Sequence, residues 1–497
     1  MKKKKTENAN KAMAKKINFW HILGIVGLSI AGLGLVGGAV AGIRQAVIHA
    51  EKNKVYSVSF DLTSGKAKGK RGDDAVGMVA GINGEKNDFD NAYPWKAIKE
   101  FKDENGDAMG RLPKFYEKIV YKVGESLEYS VTSAPKKGYH VAPAFIQGDK
   151  ELDYVDIATY EASIDKEGRL RSISGVMPET AGHTLDQYRD LAEADGNQLF
   201  DWRGNQALQS LFVVEFATLD SQSIMAGETQ YVAMVHEVTA EEIAEEKVSE
   251  LNFTIDDDCR IDTEGDLEKY FKANMKHVDI TVDYTDEDEE NIHFEKTVAA
   301  KKVVIENDET VTVTIDQALE VKDLPEDTAI YLSFGSYNYH KTGSTDKMKG
   351  SSRGASLKSL EVTGMRYRAW ENWVGNTYTW CDGLATYQDG NGKYICVSMD
   401  AEKNGNRDSY NRYAVTDMDA TKALDDGIFF NKFDMDDEVT YQQDNFYFGF
   451  TSNSYRIGRV GGGYDDGALA GAFFVRVYRD VSAADYSVRL SCVPQAR

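Results

Sequence analysis

The chain has 497 residues, with 81 acidic against 58 basic side chains and a formal net charge of -23. That length holds two to four domains, and a 42% hydrophobic share argues against global disorder. The acidic surplus excludes nucleic-acid recognition, which needs a matching basic field.

Basic charge is concentrated at the N-terminus, where Lys2 to Lys5, Lys11, Lys15 and Lys16 stand against Glu7 alone. Directly after it, Ile22–Ile43 gives 22 residues without a charge, and about 20 such residues span a bilayer core. The pattern predicts a basic cytoplasmic tail over 1–18 and a transmembrane helix over 19–44. By the positive-inside rule the C-terminal body is exported, as in a single-pass protein of the cell envelope. A cleaved signal peptide is the competing reading, but the run exceeds the usual h-region and no small-residue cleavage site stands out. A glycine-rich helix buried in an assembly such as a virion tail is another, and Gly34, Gly38 and Gly42 at intervals of four suit close helix packing.

Residues 45–90 read as a linker, with GKAKGKRGDDAVG from Gly65 to Gly77 as its joint. It contains Arg71-Gly72-Asp73, a tripeptide too short to name a receptor. An α+β domain is expected over 91–235, opening on Pro94 and Trp95 as a local packing feature. KFYEKIVYKVGESLEYSVTSAPKKGYHVAPAFI alternates polar and apolar residues as strands do. TLDQYRDLAEADG predicts a helix over Leu185 to Ala194, with Thr184 and Gln187 in a capping-box arrangement. Asn205 to Leu219 predicts a second, more buried helix from the spacing of Ala207, Leu208, Leu211, Phe212 and Phe216.

Composition changes near Val235, and 236–350 reads as an acidic β-rich insertion or accessory domain. HVDITVDY, KVVIENDETVTVTIDQAL and AIYLSFGSY are its strand candidates. The last segment, 351–497, is rich in Trp, Tyr, Asn, Asp and Gly, so its loops need aromatic cores and Asx turns to hold them. Its cysteines, Cys381, Cys396 and Cys492, and the isolated Cys259 form no zinc pattern. One bridge is compatible with export, but spacing does not choose the pair.

In this last segment RYRAWENWVGNTYTWCDG carries E-N-x-x-G-N-x-x-x-W-x-D-G at Glu371, Asn372, Gly375, Asn376, Trp380, Asp382 and Gly383. It resembles the core of C-type-lectin-like domains in phage tail and receptor-binding proteins. These are related in fold to formylglycine-generating-enzyme-like domains and to retroelement-diversified variable proteins. Arg459 to Tyr464, Phe474 to Tyr478 and Tyr486 to Val493 look like the family's closing arrangement, although Val-Arg-Leu stands where Gly-Phe-Arg is more usual. Asn91 to Gly227 resembles the upstream domain of such tail proteins.

The resemblance implies an α+β protein with a C-terminal C-type-lectin-like domain that binds a protein or glycan on a cell surface without chemistry. Rigid aromatics suit such contacts because they bury area while freezing few torsions. The ligand-facing candidates are Tyr441, Gln442, Asp444, Asn445, Tyr447, Ser452, Asn453, Ser454 and Tyr455, then Tyr464, Asp465, Asp466, Tyr478, Asp480 and Tyr486. Trp370, Trp373, Trp380, Asn376, Gly383 and Gly462 are expected in the structural core. No metal cofactor is expected. A structural calcium ion is the alternative, at Asp256 to Asp258, at Asp434, Asp436, Asp437 and Glu438, or at Asp465 and Asp466. A formylglycine-generating type of catalyst would need a cysteine constellation that these cysteines do not match. A structural tail or envelope-assembly subunit is the remaining alternative, and a homo-oligomer is open although no coiled-coil heptad is sustained.

Overall fold

The computed structural model describes residues 45–122, 124–180, 183–225, 234–237, 247–254, 277–285, 291–307, 310–320, 328–334, 341–353, 364–414, 444, 446–463, 470–477 and 486–492. It is a mixed α+β architecture with several antiparallel sheets. Two compact units divide the chain, Met1–Lys54 and Val55–Arg497. The first shows a helix over 45–52. The expected membrane span at Ile22–Ile43 lies outside the described residues, among which no helix is long and apolar enough to cross a membrane.

In the second unit a five-stranded sheet sets Val55–Asp61 against Lys70–Asp73 and Ser126–Thr132, with Tyr116–Lys122 and His140–Val141 beyond. The Arg71-Gly72-Asp73 tripeptide is consumed by this architecture. Arg71 Nη1 donates to the Val214 carbonyl at 2.6 Å and Nη2 to that of Glu215, while Asp73 accepts from Ser57 Oγ at 2.7 Å.

Those carbonyls end the Trp202–Phe216 helix, all of whose residues are buried. The helix starts three residues earlier than its apolar spacing suggests, because Asp201 caps it through Gly204 N at 2.9 Å. It stops where Ala217 turns left-handed at φ 54. The Leu185–Ala194 helix has the expected capping box, Gln187 N to Thr184 Oγ1 at 3.3 Å and Thr184 N to Gln187 Oε1 at 2.8 Å.

The acidic segment forms a six-stranded antiparallel sheet in the order Met234–Glu237, Ala329–Phe334, His277–Thr285, Asn291–Asn307, Thr310–Glu320, Lys247–Thr254. The 17-residue Asn291–Asn307 strand serves two neighbours in turn. Its first half pairs with His277–Thr285 and its second with Thr310–Glu320. Alternation places Val311, Val313 and Ile315 inside.

After the insertion, the C-terminal sheet runs Asn411–Ala414, Gly392–Val397, Tyr378–Asp389, Tyr455–Gly461, Gly471–Val477, Phe446–Phe448, with Tyr486–Ser487 parallel to Tyr378–Asp389. Both of its faces are used. From Gly471–Val477, Phe473, Val475 and Val477 enter the large core around the Trp202–Phe216 helix. Phe474 enters a second core with Tyr378, Trp380, Tyr486, Tyr188 and Leu185.

The sequence places 91–235 and 351–497 in separate modules, yet the structure interlocks them. Leu490–Cys492 lies between Tyr154–Ala158 and Gln198–Leu199 in one antiparallel sheet, and the large core draws on both segments. The two segments share one core, so each covers apolar surface of the other.

Candidate functional site

The aromatic motif is an internal clasp. Arg366–Tyr367 pairs with Trp370–Glu371 in a tight turn. Asn372 and Asn376 take φ 48 and 65, a left-handed conformation that asparagine tolerates. Trp370 Nε1 donates to the Ile157 carbonyl at 3.3 Å, and Trp373 Nε1 donates to Asn205 Oδ1 at 2.9 Å. Gly110 leaves the room Trp370 needs, since a Cβ there would sit 2.7 Å from its Nε1.

The motif's carboxylates and amides are spent on neighbours inside the protein. Glu371 accepts from the Gly343 and Thr345 amides at 2.7 and 2.8 Å. Asp382 is gripped by Arg189, Nε to Oδ2 at 3.0 Å and Nη2 to Oδ1 at 2.8 Å. Buried Glu161 accepts from Asn376 Nδ2, from the Thr377 hydroxyl and from Thr377 N at 3.2 Å. Burial pushes its carboxyl up to about 7 against the pull of Arg489 and these donors. Trp370, Trp373, Trp380, Asn376, Gly383 and Gly462 are all buried.

What the sheet turns outward is different. Tyr387 lies directly across from Tyr394 on one neighbouring strand and from Tyr455 on the other. All three tyrosines are half-buried against a small cluster of Ala385, Cys396 and Tyr410. The Tyr387 and Tyr455 rings sit 4.8 Å apart, and the Arg412 guanidinium lies 4.3 Å from the Tyr387 centroid. Arg412 Nη2 donates to the Tyr455 hydroxyl at 2.6 Å, which donates to exposed Asp408 at 3.0 Å. Burial opposes the Arg412 charge, but the Tyr455 hydroxyl outweighs it and the guanidinium pKa rises. The result is a fixed row of rings with a planar cation stacked on it and an acceptor at its edge, the chemistry of non-covalent recognition.

Of the residues expected to face a ligand, Ser452, Asn453 and Ser454 are exposed in a turn where Asn453 has φ 56, and Tyr447 and Tyr455 are half-buried. Asp444 and Tyr486 do not sit outside. Asp444 is fully buried and accepts from Phe473 N at 2.8 Å and from Ser221 Oγ. Tyr486 packs edge-on to Trp380 with centroids 5.0 Å apart, because the closing strand carries it into the second core. Tyr441, Gln442, Asn445, Tyr464, Asp465, Asp466, Tyr478 and Asp480 lie outside the described residues. So do Cys259 and the calcium candidates Asp256 to Asp258, Asp434, Asp436, Asp437 and Glu438.

Sequence reasoning passed over Tyr387, Tyr394, Asp408 and Arg412. Period-two alternation in LATYQD and KYICV puts Ala385 with Tyr387 and Tyr394 with Cys396 on one face, but only the register brings those faces together. Cys381 and Cys396 are free, buried thiols. Burial pushes Cys396 up to about 12 and Cys381 well above its ordinary value, so both stay protonated and weakly nucleophilic. Among the described residues no cluster of three His, Cys, Asp or Glu side chains could hold a metal ion.

No protein-family model matches the chain, and no curated protein matches it in sequence.

Proposed function

We propose that the chain is a non-catalytic binding protein that displays a C-type-lectin-like unit and recognises a protein or glycan through the outer face of its C-terminal sheet. The observation carrying this reading is the half-buried row of Tyr387, Tyr394 and Tyr455 with Arg412 stacked on it. The Trp-rich motif, by contrast, is wholly interior. Rigid rings supported from beneath and fixed by a cation suit a contact surface that freezes few torsions on binding.

On this reading the lectin-like unit takes its helices from the upstream segment and its main sheet from the C-terminal one, with the acidic β-rich segment inserted between them. The basic tail and the apolar Ile22–Ile43 run would anchor it in a cell envelope, as a phage-derived or variable display protein. Calcium plays no necessary part.

The test is binding of the purified chain to intact bacterial cells and isolated envelope fractions. Replacing Tyr387, Tyr455 and Arg412 together by alanine is expected to abolish retention while near-UV circular dichroism keeps the folded signal. Undiminished retention by the folded triple variant would remove this face from the function.

A further inference from the structure

At one end of the first five-stranded sheet, apolar side chains stand in solvent beside the point where the chain enters. Val55 opens the first strand, and only Arg44 to Lys54 separate it from the uncharged Ile22–Ile43 run. Register puts the exits of Lys70–Asp73 and of Ser126–Thr132 at this same end, with Tyr56 opposite Asp73 and Val55 opposite Thr132. The turns that follow those two strands therefore flank the entry point.

The first turn holds two valines outward. Val76 is 68% exposed and Val79 52%, and with Val47 and Met177 they make up the exposed large apolar side chains among the described residues. A single exposed valine is ordinary, but three of those four fall within the stretch 47–79 that brackets Val55. The turn is pinned at both ends. Val55 N donates to Asp74 Oδ2 and Asp74 N to the Val55 carbonyl, both at 2.9 Å. Val79 N donates to Asp88 Oδ2 at 2.9 Å, and Asp88 N to the Val79 carbonyl at 2.8 Å. Ala75 is buried and Met78 packs on the large core, so the turn spends its inner side on the body and leaves Val76 and Val79 outside. Its acidic groups are engaged, Asp73 by Ser57 Oγ and Asp74 by Val55 N. The second turn carries exposed Lys137, with Lys136 and Tyr139 half-buried.

We propose that this end of the sheet is a membrane-facing surface, where Val76 and Val79 enter the headgroup region of a lipid bilayer and Lys136 and Lys137 meet lipid phosphates. Apolar side chains accompanied by lysines and a tyrosine are the composition of interfacial contacts. Two valines alone hold a bilayer weakly, but an anchor a short way upstream makes the contact intramolecular and supplies a high effective concentration. A turn already fixed by four hydrogen bonds adds little ordering cost. This goes beyond the binding role and rests on the reading of Ile22–Ile43 as a membrane anchor.

The test uses the full chain, with Cys259→Ser and Cys492→Ser, reconstituted into vesicles of phosphatidylcholine and phosphatidylglycerol. An NBD fluorophore is attached in turn at Val76→Cys, at Val79→Cys and, beyond the opposite end of the same sheet, at Ser64→Cys. Buried Cys381 and Cys396 do not compete for the label. Blue-shifted emission and quenching by acyl-chain nitroxide lipids are expected at positions 76 and 79 and not at 64. Val76→Asp combined with Val79→Asp is expected to abolish the quenching of a probe at Lys137→Cys while the chain still floats with the vesicles. Probes at 76 and 79 that report water in a chain that floats would overturn the membrane-facing surface and leave the anchor standing. A chain that does not float would overturn the anchor, and this surface with it. A blue shift without nitroxide quenching would give the turn to a protein contact and overturn the lipid assignment.

Discussion

Arg368 and Glu215 join through two hydrogen bonds, Nε to Oε2 at 2.8 Å and Nη2 to Oε1 at 2.6 Å, across 153 positions of sequence and with both side chains buried. Glu215 also accepts from Asn87 Nδ2 at 2.7 Å and from the Tyr367 hydroxyl at 3.1 Å. Burial disfavours the Arg368 charge, but the Glu215 carboxylate overcomes it and raises the guanidinium pKa. The pair fixes the helix of the upstream segment to the aromatic motif that follows the insertion.

Removing one member should therefore cost far more than removing both. Arg368→Ala leaves the Glu215 carboxylate buried without its cation and is expected to lower unfolding free energy by about 3–5 kcal/mol. Arg368→Met combined with Glu215→Leu should recover much of that loss. Urea denaturation of the single and double variants measures it. A single-variant loss no larger than that of a surface ion pair, about 1 kcal/mol or less, would show that the clasp is dispensable.

Glu161 predicts a pH dependence of definite sign. Its folded pKa of about 7 lies above the ordinary 4.5, so the folded chain holds this proton more tightly than the unfolded chain. Its stabilising contribution is complete below 4.5 and is lost as pH rises through about 7. For a fully buried group that shift amounts to about 3 kcal/mol. Glu371 is raised in the same direction, chiefly by burial. In Glu161→Gln the fall in stability across this window should shrink without vanishing. A wild-type and variant pair with parallel stability-versus-pH curves would refute the assignment.

Arg489 should not tolerate lysine. Its Nη1 donates to the Ala158 and Thr159 carbonyls at 2.9 and 2.7 Å, and its Nη2 to those of Glu371 and Asn372 at 2.7 and 3.1 Å. Burial pushes its pKa down to about 10, against the opposing influence of Glu161 and Glu371. A lysine ammonium lacks the planar fork that bridges four carbonyls on two segments. Arg489→Lys is expected to lose at least about 2 kcal/mol, and Arg489→Ala more. Unchanged denaturation midpoints in both would remove the closing strand's anchoring role.

Gly471 and Asp444 form a coupled pair. A Cβ at Gly471 would run into the Asp444 carboxylate, which is held by Phe473 N and Ser221 Oγ. Gly471→Ala is expected to cost about 1–3 kcal/mol by overpacking. Asp444→Ala should also destabilise by stranding those two donors. The double variant should lose less than the two singles together, because the collision no longer exists. Strict additivity in thermal melts would contradict the geometry.

Local chemistry made several elements readable in advance. Thr184 and Gln187 announce the Leu185–Ala194 helix because both capping bonds lie within four residues. The alternation Val311, Val313, Ile315 announces a strand because a pleat has period two. The Trp202–Phe216 helix was displaced by three residues because its first turn depends on the Asp201 cap more than on apolar spacing.

The sequence by itself settled where the chain coils, alternates and turns, since those choices rest on groups a few residues apart. Tertiary structure alone decided that Asp444 is buried beside Ser221, and that Trp373 meets Asn205 from a helix 168 positions away. It also decided that Tyr387, Tyr394 and Tyr455 align into one row. Those outcomes depend on strand register and on which distant layer covers each face, and neither is encoded in any single stretch of chain.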